Sequence, residues 1–418
     1  MKKSLQIIVV ICIVMLAPLN VLAQVDNEAK YKIATNDIPD WPKGPKIKAN
    51  TGVLMEMDTG EVLYDKGMHE LRYPASITKI LTALVAVENS TPEEEVVFTA
   101  TALEGMYLGS NIDMQEGEIL TMEQCILILM MKSANEVANQ IAEHIGGTQQ
   151  EFAEMMNARA AEIGCLNTHF TNASGMPDDN HYTTAYDMAL IFREALKNER
   201  FRSIYDTMDY TIPPTNRNPE PRHIQHKHVM FLTFAEQHYK GCIGGKTGAT
   251  DAAQSTLVTG VERKNGKFIT VVMRAGDHLI CCDDTKKLLG YGYKKFDKLN
   301  AEEGSLLVPI GTTEADLEIE FGAPDDENMA EKTYSYNGYL LGTMVGEAPE
   351  ATPTPEATAT PTPSPIDEEA IAALQESISQ PNKTLQMVII VMGTLIGLGI
   401  VLIIVGAVKN KKKRKNRR

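Results

Sequence analysis

Two side chains three residues apart open the chemistry: Ser76 and Lys79, in Tyr73-Pro74-Ala75-Ser76-Ile77-Thr78-Lys79. On a helix, positions i and i+3 share a face, so the spacing sets the amine one turn above the hydroxyl. Serine is a weak nucleophile until a base takes its proton. A lysine can be that base once burial or a nearby positive charge lowers its pKa. A helix start would also aim backbone N–H groups, that of Ser76 among them, at a developing oxyanion. The chemistry is acyl transfer through a serine ester.

Two further motifs follow in order. In Lys132-Ser133-Ala134-Asn135, Ser133 interrupts an apolar helix, where a serine and a preceding lysine cost stability unless used. The Ser133 hydroxyl both donates and accepts, so it can relay a proton to a leaving amine. Asn135 offers one acceptor and two donors, suited to a peptide amide, and a plain helix cap is the other reading. Gly244-Gly245-Lys246-Thr247-Gly248 sets a cation beside a hydroxyl, a pair that can hold a carboxylate. Gly248 lets a substrate backbone approach closely. Each motif is weak alone; S-x-x-K, S-x-N and K-T-G in this order and context are specific.

The elements that must position these groups read as α+β. Thr51–Met57 and Glu61–Tyr64 flank Asp58-Thr59-Gly60 as strand, turn, strand. A helix is expected from Ser76. Thr121-Met122-Glu123-Gln124 has capping-box form before the apolar run 125–131, which Lys132-Ser133 breaks. Helices are expected from about Glu136 to Gly146-Gly147, over Gln150–Ile163, and from Thr184 to about Lys197. Gln254–Glu262 and Lys267–Arg274 alternate about Lys264-Asn265-Gly266, a hairpin. Strands at both ends with helices between them predict an antiparallel sheet built from the two ends of the catalytic domain, with flanking helices and a mostly helical insertion. That domain is read as 47–298, after a polar lead-in at 24–46. A small β-rich module at 305–347 carries an Asn337-Gly338 turn.

The ends have their own character. Residues 1–23 combine Lys2-Lys3, an apolar run and Val21-Leu22-Ala23, the pattern of a secretory signal. Residues 348–386 form a linker whose first part, 348–365, holds six prolines and reads as a semi-rigid stalk. Met387–Val408 is 22 uncharged residues, long enough for a transmembrane helix, and the basic tail 409–418 predicts a cytoplasmic C-terminus. The expectation is a membrane protein with one span and an extracellular catalytic domain. Without the ten basic residues at the two ends, 30 basic face 55 acidic residues, a net of −25. Such a surface argues against nucleic acid as a partner, and an anionic substrate would need a local basic site. Five cysteines follow residue 23 without C-x-x-C spacing, so they read as buried hydrophobes.

Over residues 38–298 the chain resembles the serine D-alanyl-D-alanine carboxypeptidases, the low-molecular-mass penicillin-binding proteins. Besides the three motifs, the likeness is carried by Leu54–Tyr64, Asn167-Thr168-His169-Phe170, His181–Ala189 and Lys246–Ala253. The resemblance implies a β-lactamase/transpeptidase-like fold, with Ser76 as nucleophile, Lys79 as base and Ser133 as relay. Asn135 would hold the substrate amide, and Lys246 and Thr247 the terminal carboxylate. The N–H groups of Ser76 and Ala249 would form the oxyanion hole. It implies peptidoglycan stem peptides ending in D-Ala-D-Ala as substrate, β-lactams as inhibitors, and neither metal nor organic cofactor. Where relatives often carry an Asn-Thr-Asn type stretch, this chain has Gln225-His226-Lys227-His228; with His223 these histidines read as a solvated loop rather than a metal site.

Two other functions share these motifs. A class A β-lactamase needs a carboxylate for its deacylating water in an E-x-x-L-N stretch. The nearest approach, Glu162-Ile163-Gly164-Cys165-Leu166-Asn167, is one residue too long. A penicillin-binding sensor or scaffold would need a signalling partner, and the residues after 408 are only Lys, Arg and Asn.

Overall fold

A computed structural model describes residues 25–348, apart from 106–108, 206, 302 and 327. The signal stretch, the linker beyond 348, the apolar run 387–408 and the basic tail lie outside the described residues. Among the described residues no helix is long and apolar enough to cross a membrane.

Five antiparallel strands form the central sheet. In chain order they are β1 (Thr51–Glu56), β2 (Val62–Lys66), β7 (Cys242–Thr250), β8 (Gln254–Arg263) and β9 (Gly266–Ala275), and in space they run β2-β1-β9-β8-β7. The two ends of the domain meet where β1 pairs with β9, Val53 opposite Val271. Side chains alternate across a strand, and here both faces are covered. Val53, Met55, Val258, Ile269 and Val271 enter the core on one face, and Leu54, Leu257, Val261, Phe268 and Val272 the core on the other.

The first face carries the helical insertion. Its main helices are α1 (Lys79–Glu88), α3 (Met122–Lys132), α4 (Asn135–Gly146), α5 (Gln149–Ile163) and α6 (Ala185–Ala195), with short α2 (Ala100–Leu103) and α7 (Glu199–Tyr205) between them. The predicted capping box forms: the Thr121 hydroxyl accepts from Gln124 N, and the Gln124 side chain accepts from Thr121 N. Thr184 caps α6 through Asp187 N. Two-stranded pairs β3 (Glu95–Val97)–β4 (Ile119–Thr121) and β5 (Asp209–Ile212)–β6 (Arg222–Gln225) edge this layer.

Helix α8 (His278–Lys295), absent from the elements expected from sequence, covers the second face. Its glycines obscure it, and packing explains one of them. A Cβ on Gly292 would lie 3.0 Å from Leu54 and 3.1 Å from Phe268, so the absent side chain lets the helix lie close on the sheet. Strands β10 (Phe296–Ala301) and β11 (Gly304–Pro309) form a hairpin, and β12 (Glu318–Phe321), β13 (Met329–Tyr336) and β14 (Tyr339–Glu347) a small sheet. Asn337 and Gly338 have φ of 49° and 73°, the left-handed pair of a tight hairpin turn. This β-rich segment closes over Trp41, whose ring lies 5.2 Å from Phe296 and 5.0 Å from Tyr339 and whose Nε1–H donates to Leu63 O.

Candidate active site

Ser76 sits in a single 3-10 turn, Ala75–Thr78, that leads into α1, rather than in the first turn of an α-helix as expected. The turn starts from Ala75 at φ 52°, a left-handed conformation unfavourable for a residue with a Cβ. Three contacts hold it. Thr78 Oγ1 donates to Ala75 O at 2.9 Å and lies 2.8 Å from Nε2 of buried His181. Thr171 N donates to His181 Nδ1, so Nε2 carries the imidazole proton and points it at the Thr78 hydroxyl. Burial pushes His181 down to about 3, which keeps the ring neutral. From the sheet, Thr256 Oγ1 donates to Pro74 O at 2.9 Å.

Lys79 is fully buried, and its Nζ has three neighbours. Ser76 Oγ is 3.1 Å away, Asn135 Oδ1 is 2.9 Å away, and Ser174 O accepts a third, short contact. Burial, helped by the charge of Lys227 and opposed by Glu136, lowers its pKa to about 7. A neutral amine has two hydrogens and one lone pair. With Asn135 Oδ1 and Ser174 O taking the hydrogens, the lone pair faces the Ser76 hydroxyl. That is the geometry of a general base.

Ser174 belongs to a loop that lies outside the three motifs. Asn172 Oδ1 accepts from the N–H groups of Ser174, Gly175 and Met176, and its Nδ2 donates to Met176 O. The loop packs so tightly that a Cβ on Gly175 (φ 81°) would lie 2.0 Å from Ala75 O. Asn-Ala-Ser-Gly is the composition of a side-chain-capped turn, the one signal available beforehand.

Ser133 ends α3 at φ 64°, so the predicted helix break is a left-handed corner, and Asn135 starts α4. Lys246 Nζ donates to Ser133 Oγ at 2.9 Å and to Thr247 O at 3.0 Å. With a lone pair of Ser133 taken, its own proton is free to be given to a group in the cavity. Burial, with Lys79 and Lys227 nearby, holds Lys246 well below the ordinary lysine range. The K-T-G residues lie on β7, an edge strand not anticipated because glycines 244, 245 and 248 hide its pattern. The glycine at 248 is required: a Cβ there would lie 2.5 Å from Thr256 Oγ1 and 2.9 Å from Ser76 N.

Ser76, Ser133, Asn135, Thr247, Gly248 and Ala249 all line one cavity of about 910 Å³, with Lys79 and Lys246 buried at its wall. Glu162, the nearest candidate for a lactamase-type carboxylate, is exposed on α5 and pairs with Arg159, and it does not line the cavity. The solvated reading holds for His223, exposed on β6, and is corrected for the other two histidines. His226 and His228 are 3% and 0% exposed, and His228 Nε2 lies 2.9 Å from Thr259 Oγ1. Burial lowers both, His226 to about 3, so they are neutral packing groups. Cys125, Cys165, Cys281 and Cys282 are buried free thiols, and Cys242 is half-buried.

An α+β fold that buries a lysine against a serine, with a second serine held by a second lysine, defines a serine acyl-enzyme of the penicillin-recognising class. Residues 39–277 match the model of peptidase family S11, the D-alanyl-D-alanine carboxypeptidases, and the chain belongs to that family. It is 32% identical over 257 residues to the D-alanyl-D-alanine carboxypeptidase DacF of Bacillus subtilis, covering 60% of this chain and 63% of that one. To DacB2 of Mycobacterium tuberculosis it is 32% identical, covering 57% and 77%. Among solved structures, a D-alanyl-D-alanine carboxypeptidase from M. tuberculosis H37Rv superposes with TM-score 0.57 at 28% identity, over 64% of this chain and 99% of that one. The Streptomyces K15 DD-transpeptidase gives 0.56 at 26%, over 60% and 99%.

Proposed function

We propose that this protein is a serine-type D-Ala-D-Ala carboxypeptidase that removes the terminal D-alanine from peptidoglycan stem peptides and is acylated by β-lactams. One observation carries the reading: the buried Lys79 amine, with two acceptors for its hydrogens, stands 3.1 Å from Ser76 Oγ. Lys79 takes the Ser76 proton as Oγ attacks the penultimate carbonyl. The oxyanion develops toward the N–H groups of Ser76 and Ala249, and Asn135 holds the amide of the acyl portion. Ser133 relays the proton: it gives its own to the departing nitrogen as its oxygen takes one from Lys246, which donates to it, and D-alanine leaves. Water then enters where the amine stood, and the same groups run in reverse, releasing the shortened peptide and freeing Ser76. A β-lactam presents its strained amide to the same serine.

The neighbours named for this activity support the reading, as does a cavity large enough for a peptide end. The residues at 1–23 and 387–408 support an enzyme anchored by one span at the outer face of a bacterial membrane, with 348–386 as its stalk. Protease shaving of intact cells, followed by detection of a tag after residue 418, tests that placement. The activity is tested by incubating the protein with a peptide ending in D-Ala-D-Ala and measuring free D-alanine. Release by wild type and loss in Ser76→Ala is expected. Equal release by both would assign the nucleophile elsewhere.

A further inference from the structure

The cavity wall carries one charge that the mechanism does not use, and the direction of the bound peptide shows what it would meet. Ser133, which serves the leaving nitrogen, is held by Lys246, so the departing alanine lies toward the Lys246–Thr247 end of β7. The reacting carbonyl faces Ser76 and Ala249. The rest of the peptide therefore runs from Ala249 toward Thr250 and Asp251. Strand β7 is the last in the sheet, so its outer edge can pair with an extended chain. A strand rises about 3.3 Å per residue, so the two steps from Ala249 to Asp251 cover about 7 Å. The residue that precedes D-Ala-D-Ala falls within that stretch.

Asp251 is exposed, and it is the one carboxylate among the described residues that line the cavity. It begins the turn that joins β7 to β8, and that turn is braced. Ala253 N donates to Thr250 Oγ1 at 3.1 Å, and Arg274 Nη1 donates to Ala252 O at 2.9 Å. The Arg274 Nε–H is taken by Asn27 O. Among the described residues no cation pairs with Asp251, because the lysines of the cavity are engaged elsewhere. Lys79 contacts Ser76 and Asn135, Lys246 contacts Ser133, and Lys227 Nζ donates to Ser110 Oγ. His278 also lines the cavity, but burial pushes it down, so it is neutral at pH 7. The Asp251 charge is held in place and left for a ligand.

We propose that Asp251 is a specificity-determining residue that binds an ammonium group on the side chain of the residue preceding D-Ala-D-Ala. The favoured substrates are peptides whose amine at that position is free. A peptide whose amine is acylated has lost the charge and is disfavoured. This assignment rests on the peptidase reading above and deepens it. An ion pair at an exposed carboxylate is partly screened by water, so the preference is about 5- to 10-fold. It weakens as salt is raised.

The test compares two peptides ending in D-Ala-D-Ala, both acetylated at the N-terminus. One has a lysine with a free ε-amine before the two alanines, and the other has ε-N-acetyl-lysine there. Full-length wild type, Asp251→Asn, Asp251→Glu and Asp251→Lys are assayed in detergent for D-alanine release at low and high salt. Thermal melting of each is the folding control. Wild type is expected to favour the free amine by about 5- to 10-fold in kcat/KM at low salt, and by less at high salt. Asp251→Asn should lose that preference, Asp251→Glu should keep part of it, and Asp251→Lys should invert it. Equal kcat/KM for the two peptides in wild type overturns the proposal. So does an unchanged preference in Asp251→Asn. An equal fall on both peptides also overturns it, since Asp251 would then serve only the turn. If wild type releases D-alanine from neither peptide while still forming a penicillin ester, the peptidase reading fails, and the proposal with it.

Discussion

The rate of Ser76 acylation should titrate with Lys79. An ordinary lysine near 10.5 is neutral at pH 7 in only about one molecule in 3,000. Burial brings Lys79 to about 7, so half the molecules hold the base form at that pH, a gain of about 10³. The sign follows from the role: the base must be unprotonated, so acylation falls as pH drops through about 7. The active fraction is about 1% at pH 5 and about 99% at pH 9, and below pH 6 each unit should slow acylation about tenfold. Ionisable groups around Lys79 are Lys227, Lys246, His181 and Glu136, and Lys227 pushes it down while Glu136 pushes it up. Removing the Lys227 charge in Lys227→Met should therefore move the acid limb to higher pH. Stopped-flow acylation by a fluorescent penicillin, from pH 5 to 9, reads this directly. A flat profile over that range would refute the neutral-lysine mechanism, because among the described residues the hydrogen-bond partner of Ser76 Oγ is Lys79.

Two substitutions test the scaffold. Gly175→Ala places a Cβ 2.0 Å from Ala75 O at a left-handed φ, so the loop and the Ser76 turn must separate; a shift near 1 Å should slow acylation by about 100-fold, read by penicillin labelling of folded protein. Gln254 begins β8 at φ 53°, and Gln254→Gly should relieve about 1 kcal/mol of strain and raise the melting temperature by about 2–4 °C, read by calorimetry.

What could be read from residue order depended on how locally the information is written. The capping residues Thr121 and Thr184 act within three residues, so those helix starts fall where expected. The Lys264–Gly266 hairpin is local as well, and β8 and β9 pair about it. Ser76 and Lys79 meet because three residues of any helical turn bring them together, although the turn is 3-10. Helix α8 was illegible because Gly292 is there for contact with Leu54 and Phe268, which lie far away in sequence. The burial of His226 and His228 depends on β8 passing beside them, and a polar tetrapeptide carries no sign of that. The Ser174 carbonyl that completes the Lys79 site is a backbone atom placed by Asn172; Asn-Ala-Ser-Gly signals a turn there, not which carbonyl the turn aims at the lysine.

The central claim is a covalent ester at one serine formed by one lysine. Its most direct measurement is peptide mapping by mass spectrometry after brief exposure to benzylpenicillin, on wild type, Ser76→Ala and Lys79→Ala. The account predicts one adduct of the antibiotic's mass on the peptide holding Ser76, none in Ser76→Ala, and at least about 100-fold slower formation in Lys79→Ala. An adduct on another residue, or wild-type labelling in Lys79→Ala, would contradict it.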